Sequence, residues 1–180
     1  LEYYEKRTKD LLNSVSAPAG TNFTNIITAN VGEMKNQGVE FNVQAVAIQT
    51  KDFSWDLGYN ITWNKSKITK LTATFNPVYP GIAAGNAPFA TGTTIQYHQV
   101  GYAPSTFYLY QQVYDEQGHP IQNAVVDRNH DGEITQADQY FTGKSPMPKV
   151  FMGINSQFKY KNWDLGFNLR ANFGNYVFNG

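Results

Sequence analysis

The clearest pattern in the chain is a strict alternation of apolar and polar residues between Phe53 and Asn64. Every odd-numbered position is apolar or aromatic, and every even-numbered position is polar or glycine. Successive side chains of a β-strand point to opposite sides, so this alternation predicts a strand with one apolar and one polar face. Aromatic residues lie near both ends of the apolar face, at Trp55 and Trp63, with Leu57 between them.

The length of this strand is unusual for a soluble protein, whose strands have about five or six residues. From Phe53 to Trp63 it matches the roughly 9–11 residues that a tilted strand needs to cross a bilayer. Aromatic ends around an aliphatic middle are typical of the lipid-facing side of a membrane barrel. On this strand alone, a membrane barrel and a long soluble strand are equally good interpretations.

Three further segments repeat the alternation: residues 38–48, 150–160 and 163–173. Residues 55–60, WDLGYN, recur as WDLGFN at residues 163–168. The first twelve residues of the chain are predicted to be the charged upper end of a fifth strand, although their i,i+4 Glu–Lys pairs would also suit a helix.

The predicted connections are short at one end of these strands and long at the other. Residues 49–52 and 161–162 form tight turns, whereas long irregular segments are expected at residues 13–37, 65–105 and 115–148, with a short strand at residues 106–114. Outer-membrane barrels have this asymmetry, with short periplasmic turns and long extracellular loops, and a soluble sandwich has no reason to adopt it.

The predicted fold class is therefore all-β: an antiparallel transmembrane β-barrel segment of about five long strands. A closed membrane barrel needs at least about eight strands. Five strands alone would leave unpaired edges in lipid, at a high cost. We therefore expect residues 1–180 to be one partial barrel domain, with the remaining strands outside it.

Composition excludes several classes of function. Lys and Arg together number 14, as do Asp and Glu, so the basic excess of a nucleic-acid-binding protein is missing. Cysteine is absent, which excludes disulfides and thiolate metal sites. The histidines, His98, His119 and His130, fall in predicted loops without a nucleophile at a motif spacing, and no phosphate-binding glycine loop is present. The sequence does not predict an enzyme.

One loop motif indicates a metal site. Residues 127–138, DRNHDGEITQAD, match the calcium-loop template D-x-[DN]-x-[DN]-G with an acidic residue at the twelfth position. The expected Ca²⁺ ligands are Asp127, Asn129, Asp131, Glu133 through its carbonyl, Thr135 and Asp138. The alternative is a turn rich in Asp, Asn and Gly that needs no ion. His130 occupies a non-ligand position and is expected to face solvent.

Two other groups of residues are candidates for ligand contact. The polar faces of the strands carry Glu40, Asp56, Asp164 and Arg170, which could contact a sugar or, more commonly, form ion pairs between strands. The predicted outward loops carry aromatic residues that could stack on sugar rings, but packing within the loops is the favoured interpretation: Tyr97, Tyr102, Phe107, Tyr108 and Tyr110.

Several of these segments together resemble a known family. The stretches NVGEMKNQGVEF, FSWDLGYNITWNKSKI and DRNHDGEITQADQYFTG, and the segment at residues 145–179, are similar in type and order to the C-terminal barrel region of SusC/RagA-type TonB-dependent transporters of the Bacteroidetes. The resemblance covers nearly the whole chain, except the loop around residues 73–99.

The resemblance implies a location in the outer membrane of a Gram-negative bacterium and a barrel of 22 strands with an N-terminal plug. It also implies a SusD-like surface lipoprotein as partner, energy supplied through the TonB complex, and import of a glycan or another large ligand. This chain lacks the plug and the TonB-box region, so both would have to lie elsewhere in a larger protein. Outer-membrane lipid is then the expected surrounding of the apolar strand faces.

A rival interpretation is a soluble, secreted all-β module that binds calcium and mediates carbohydrate adhesion. It requires a second sheet that buries the apolar face between Trp55 and Trp63. The two interpretations therefore differ in what covers that face.

Overall fold

A computed structural model describes residues 1–16, 26–71, 81–87 and 93–179. Its elements are strands and one 3-10 turn at Gln136–Asp138, so the all-β class is confirmed. The strands are β1 (Glu2–Ser16), β2 (Ile26–Gln49), β3 (Phe53–Lys70), β4 (Ile82–Asn86), β5 (Thr94–His98), β6 (Thr106–Leu109), β7 (Gln112–Tyr114), β8 (Pro120–Val125), β9 (Tyr140–Phe141), β10 (Val150–Tyr160) and β11 (Trp163–Phe173).

The five predicted long strands form one antiparallel sheet in the order β1-β2-β3-β10-β11. Two tight turns, at residues 50–52 and 161–162, join neighbouring strands at one end, as predicted. The hydroxyl of Thr50 donates to the carbonyl of Phe53 and accepts from its N–H, both at 3.0 Å, which closes the first turn. At the other end, the strands lead into the long connections.

The pairing register places apolar side chains side by side across four strands. Tyr59 of β3 lies between Val43 and Ile154, and Ile154 in turn lies opposite Leu169. The same alignment repeats in successive rows from the row of Phe53, Tyr160 and Trp163 to the row of Val39, Trp63, Val150 and Phe173. Because residues two apart share a strand face, these rows form one continuous apolar face.

A β-bulge keeps the lower end of β2 on this face. The register shifts between Val46 and Ile48, so that Ile48 pairs with Trp55 although its number is even. The sequence alternation alone puts Ile48 on the polar face of β2. The extra residue of the bulge, Ala47, reverses the alternation and returns Ile48 to the apolar side.

One polar residue interrupts the apolar face. Ser156 stands between Leu57 and Phe167, and it is only 2% exposed. The indole Nε1 of Trp55 donates a 2.9 Å hydrogen bond to its hydroxyl. The ring of Trp55 also stacks on Phe158 with centroids 5.4 Å apart, so the hydroxyl is both partnered and covered by aromatic side chains.

The opposite face is polar and rich in carboxamides. One row runs Gln44, Gly58, Asn155 and Asn168, and the next runs Asn42, Asn60, Gly153 and Arg170. The side-chain amide of Asn155 donates to the side-chain oxygen of Asn168 at 2.6 Å. At Gly153 a methyl group would collide with Asn60, so the glycine makes room for the Asn60 side chain.

Two of the predicted loops are shorter than expected. Residues 13–37 were expected to be irregular, but β1 continues to Ser16 and β2 begins at Ile26. Likewise β3 continues to Lys70, and β4 and β5 lie within the segment expected to be irregular up to residue 105. These extensions are mostly polar or charged, and the apolar alternation in them is short, as at Ile27, Ala29 and Val31. Pairing with a neighbouring strand holds them extended.

The long connection between β3 and β10 contains a cluster of buried apolar residues. Strands β4, β5, β6 and β9 form a four-stranded sheet, and β7 pairs with β8. Ala87, Ile95 and Phe107 are buried together in this region. The predicted strand at residues 106–114 is divided into β6 and β7, and the segment expected to be irregular at residues 115–148 contains β8, β9 and the 3-10 turn.

Candidate functional site

The predicted calcium loop connects β8 to β9 and folds around its own acidic side chains. Both carboxylate oxygens of Asp127 accept backbone N–H groups, from His130 at 2.7 Å and from Gly132 at 2.8 Å. His130 and Gly132 both have positive φ, which turns these N–H groups inward. In such a turn, a glycine meets the positive φ without a steric penalty.

Asn129 and Asp131 continue the same pattern. The side-chain amide of Asn129 donates to Asp131 at 2.7 Å, while its oxygen accepts the Asp131 N–H at 3.1 Å. The other carboxylate oxygen of Asp131 accepts the N–H of Glu133 at 2.9 Å. Three of the predicted ligand side chains are thus used as hydrogen-bond acceptors for the turn.

Asp138 closes the loop from the inside. It is fully buried, and its carboxylate accepts the N–H of Thr135 and of Arg128, both at 2.8 Å, and that of Asn129 at 3.4 Å. The Thr135 hydroxyl accepts the N–H of Ala137, and Thr135 and Asp138 together form a capping box for the 3-10 turn. Hydrogen bonds from backbone N–H groups, first that of Thr135, keep the pKa of Asp138 below its ordinary value despite its burial.

The structure brings together the two ends of the motif. Asp138, at the twelfth position of the template, accepts the N–H of Arg128, which follows Asp127 at the first position, so the two ends of the template are adjacent. Glu133 and Thr135 lie on the loop between them, and Glu133 is exposed. Among the residues that the structure describes, no group of three or more His, Cys, Asp or Glu side chains is gathered closely enough to hold a metal ion.

Arg128 links the loop to β9 and to the chain between β6 and β7. Its guanidinium lies 4.2 Å from the ring centroid of Tyr140 and donates to the side chain of Gln111 at 2.6 Å. A cation over an aromatic face is attracted by the negative charge of the ring surface. The metal-loop template does not point to Arg128, because position 2 carries no ligand.

The aromatic residues of the outward region pack on one another. Tyr102 stacks on Phe141 at 4.7 Å between centroids, and Tyr108 lies 4.8 Å from the same ring. Tyr97 contacts both Tyr108 and Phe141 edge-on, and Phe107 is buried. The structure thus favours packing over sugar stacking for four of the five predicted aromatics. The centre of the cluster, Phe141, was missed because its short strand has no alternation.

Two of the three histidines make contacts within the loops, and the third faces solvent. His98 accepts the N–H of Ser105 through its Nδ1 at 3.0 Å, and burial lowers its pKa. His119 lies 3.4 Å from the carboxylate of Asp115, whose side chain caps the same turn. His130 is exposed, as expected.

The polar face of the main sheet contains a cavity of about 210 Å³. Its lining includes Asn42, Asn60, Asn155, Asn168 and Arg170. The ion pairs expected between strands on this face are not found: within the described residues, none of the candidate charges Glu40, Asp56, Asp164 or Arg170 forms one. Carboxamides, which are neutral and can both donate and accept, dominate the cavity.

Comparison with known proteins identifies the fold. The family model described as "TonB dependent receptor-like, beta-barrel" matches residues 1–173. The chain belongs to this family. Its barrels lie in the outer membrane of Gram-negative bacteria, and its members are transport proteins without enzymatic activity. The predicted family, fold class and location are therefore confirmed.

Individual relatives agree with this assignment. The chain is 49% identical over 178 residues to the TonB-dependent receptor SusC of Bacteroides thetaiotaomicron, a match that covers 99% of this chain and 18% of that protein. It is 30% identical to the TonB-dependent receptor P3 of Formosa agariphila, over 99% of this chain and 19% of that protein. The chain thus spans about a fifth of the length of these relatives.

Solved structures show the same fold. The RagAB peptide transporter superposes with a TM-score of 0.65 at 22% identity, over 96% of this chain and 18% of that chain. The "open-open" state of the RagAB peptide importer gives a TM-score of 0.69 at 21% identity, over the same shares of both chains. Within the described residues, no helix is long and apolar enough to span a membrane.

The two sheet faces should respond differently to charge. Leu57 lies in the middle rows of the apolar face, so Leu57→Arg should lower the free energy of unfolding by about 2–4 kcal/mol in lipid vesicles, measured by urea titration of the full-length barrel. Asn60→Arg, on the polar face of the same strand, is the control and should cost far less. Equal losses in the two variants would contradict the assignment of the faces.

The stability of the loop at residues 127–138 should depend on the ionised form of Asp138. Because its folded-state pKa is lowered, its stabilising contribution is complete above the ordinary value of 3.8 and is lost as the pH falls through the lower, folded-state pKa. Hydrogen-exchange protection of the Arg128 and Thr135 amides should therefore persist from pH 7 to about pH 4 and fall below it. Asp138→Asn should weaken this protection at neutral pH, whereas Glu116→Gln, outside the loop, should not. Loss of protection in the native protein near pH 6 would contradict this assignment.

Proposed function

We propose that this chain forms part of the barrel wall of a transporter that imports large nutrients, chiefly oligosaccharides, across the outer membrane. The observation that carries the proposal is the pair of opposite faces on four aligned strands. One face is apolar between aromatic ends and suits lipid, and the other is polar and suits a hydrated interior. Membership of the family supports the same conclusion, because its members are transport proteins.

The proposed barrel is larger than the chain. In the described residues, β1 and β11 each pair on one side only, and exposed sheet edges are not stable in lipid. We therefore assign the remaining strands of the closed barrel, and the plug, to other parts of a longer protein. The chain's share of its relatives' length supports this assignment.

Oligosaccharides fit the chemistry of the polar face. Sugar hydroxyls both donate and accept hydrogen bonds, as do the carboxamides of Asn42, Asn60, Asn155 and Asn168 around the cavity. Neutral side chains also avoid the strong charge preference that a face lined by carboxylates would impose. Arg170 adds one fixed cation, which could contact an acidic sugar or the plug.

The proposed partners follow from the direction of transport. A SusD-like surface lipoprotein would sit over the outward connections between β3 and β10, where the aromatic cluster around Phe141 provides a packed support. The TonB complex would act from the periplasm through parts of the protein outside this chain. The family resemblance supports both partners.

The soluble adhesion module is the weaker candidate because nothing in the described residues covers the apolar face. Leu165 is 63% exposed and Leu169 is 55% exposed, and Trp163 at the lower aromatic end is 79% exposed. A soluble protein would have to bury these side chains against a second sheet. Contact with lipid tails would remove all of these side chains from water at once.

We further propose that the loop at residues 127–138 takes up Ca²⁺. The adjacency of the two ends of the loop supports this, because it gathers the side chains of the template around one point. Asn129, Asp131, the carbonyl of Glu133 and Thr135 would supply the remaining oxygens, within the six to eight that calcium uses. Each carboxylate oxygen of Asp127 accepts one backbone N–H group and keeps a second lone pair for the ion.

Uptake measurements test the substrate class. Removal of the full-length transporter should abolish growth on long oligosaccharides but not on the corresponding monosaccharide. In the intact protein, Asn155→Leu should slow uptake of a labelled oligosaccharide several-fold, whereas Ile154→Leu on the apolar face should not. A growth defect on peptides, with normal growth on oligosaccharides, would contradict the glycan assignment.

Calcium titration tests the metal site. Addition of Ca²⁺ should protect residues 127–138 of the full-length protein from proteolysis, and EDTA should reverse the protection. Asp131→Asn should weaken binding at least about tenfold through the loss of a charged ligand, whereas Glu116→Gln should bind normally. Identical cleavage with calcium and with EDTA would leave the acidic residues with the turn-forming role alone.

A further inference from the structure

Above the upper aromatic row, the outward face of the sheet becomes basic. That row includes Tyr3, Val39 and Trp63, which are paired across β1, β2 and β3. Two residues further along each strand, the register aligns Glu5, Gln37 and Lys65, and two residues beyond that it aligns Arg7, Lys35 and Lys67. Since side chains two apart share a face, both rows continue the apolar face outward.

The row of Arg7, Lys35 and Lys67 places three cations directly opposite one another. Like charges that face each other across strands destabilise the pairing. The only carboxylate in the two rows is that of Glu5, which lies 2.9 Å from both Arg7 and Lys35. In the described part of the chain, neither Lys65 nor Lys67 has an ion-pair partner, and both are exposed.

The position of these rows relative to the membrane is set by the aromatic row beneath them. Aromatic residues of outer-membrane barrels mark the boundary between hydrocarbon and headgroups. Each further row lies about 7 Å along the strand, so Lys65 and Lys67 stand about 7 and 13 Å beyond Trp63, less when the strand is tilted. The headgroup region on each side of the hydrocarbon is about 5–8 Å deep, which places the row of Lys65 at headgroup level and the row of Lys67 just outside it, where a long basic side chain can extend down toward the phosphates.

We propose that Lys65 and Lys67, together with Arg7 and Lys35, bind the phosphate groups of an anionic lipid in the outer leaflet. In these two rows the cations outnumber the single carboxylate, that of Glu5, and lipid phosphates would supply the missing negative charge. Lysine binds phosphate as a point charge. A lipid held by its tails against the apolar face below presents its phosphates at this height. The inference rests on the outer-membrane placement of the sheet and is independent of the transported substrate.

The test uses the full-length transporter in neutral detergent with lipid A as the probe. Native mass spectrometry should show that the protein retains phosphorylated lipid A at least about tenfold more tightly than dephosphorylated lipid A. The double variant Lys65→Gln/Lys67→Gln should lose at least about tenfold in affinity for the phosphorylated form. Lys51→Gln, in the short turn at the opposite end of the sheet, is the matched control and should bind as the native protein does.

A second measurement distinguishes lipid binding from a general effect of the substitution. In detergent alone, Lys67→Gln should leave the Tm unchanged or raised, because it relieves the repulsion from Lys35. With phosphorylated lipid A present, the same variant should gain less Tm than the native protein. A fall in Tm without lipid and an undiminished gain with it would overturn the proposal.

Three other results would overturn it: equal binding of phosphorylated and dephosphorylated lipid A, full retention by the double variant, or displacement of lipid A by millimolar inorganic phosphate. Displacement by inorganic phosphate would mean that these cations bind soluble anions and not a lipid. Heat-modifiable migration of each sample reports separately whether the barrel is folded. Its absence in the native protein would count against the proposed transporter, whereas its presence without phosphate dependence would count against the lipid site alone.

Discussion

The structure depends on the alignment of four strands that must place their apolar residues on one side simultaneously. In hydrocarbon, every backbone N–H and C=O needs a partner within the sheet, so the strands cannot separate to correct a mismatch. A slip of one residue in any pair would turn a whole strand's apolar set toward the interior. The bulge before Ile48 and the indole of Trp55 over Ser156 are local adjustments that preserve this alignment where the sequence departs from it.

The same sheet changes its surroundings along its length, and its sequence changes accordingly. The rows between Phe53 and Trp63 meet hydrocarbon, and the rows beyond Trp63 on the same face carry charge. On the other face, the middle of the sheet carries carboxamides and glycines, which leave space beside the wall. One set of hydrogen bonds therefore supports a lipid-facing surface, a polar interior and a charged outer rim.

The membrane-crossing part of the fold could be predicted because it is determined by local alternation and by turn residues. The charged upper end of β1 was also predicted, but the outer parts of β2 and β3 were not, since mostly polar strands in water show little apolar alternation and pairing between strands decides their structure. For the acidic loop, the template predicts ligand positions from spacing alone, whereas the burial of Asp138 beneath the turn is seen only in the structure. Phe141 and Arg128 were missed because tertiary packing alone gives them a role.

The pairing of β3 with β10 has a consequence for how the sheet assembles. Trp55 and Ser156 are 101 residues apart in sequence, whereas β2 with β3, and β10 with β11, are joined by tight turns. Closing a long loop costs conformational entropy before any contact compensates for it, so the two hairpins can form early and their joining is the slow step. Until then, β3 and β10 each expose an unpaired edge. The outward connection that carries the acidic loop therefore also sets how long those edges stay open to wrong partners.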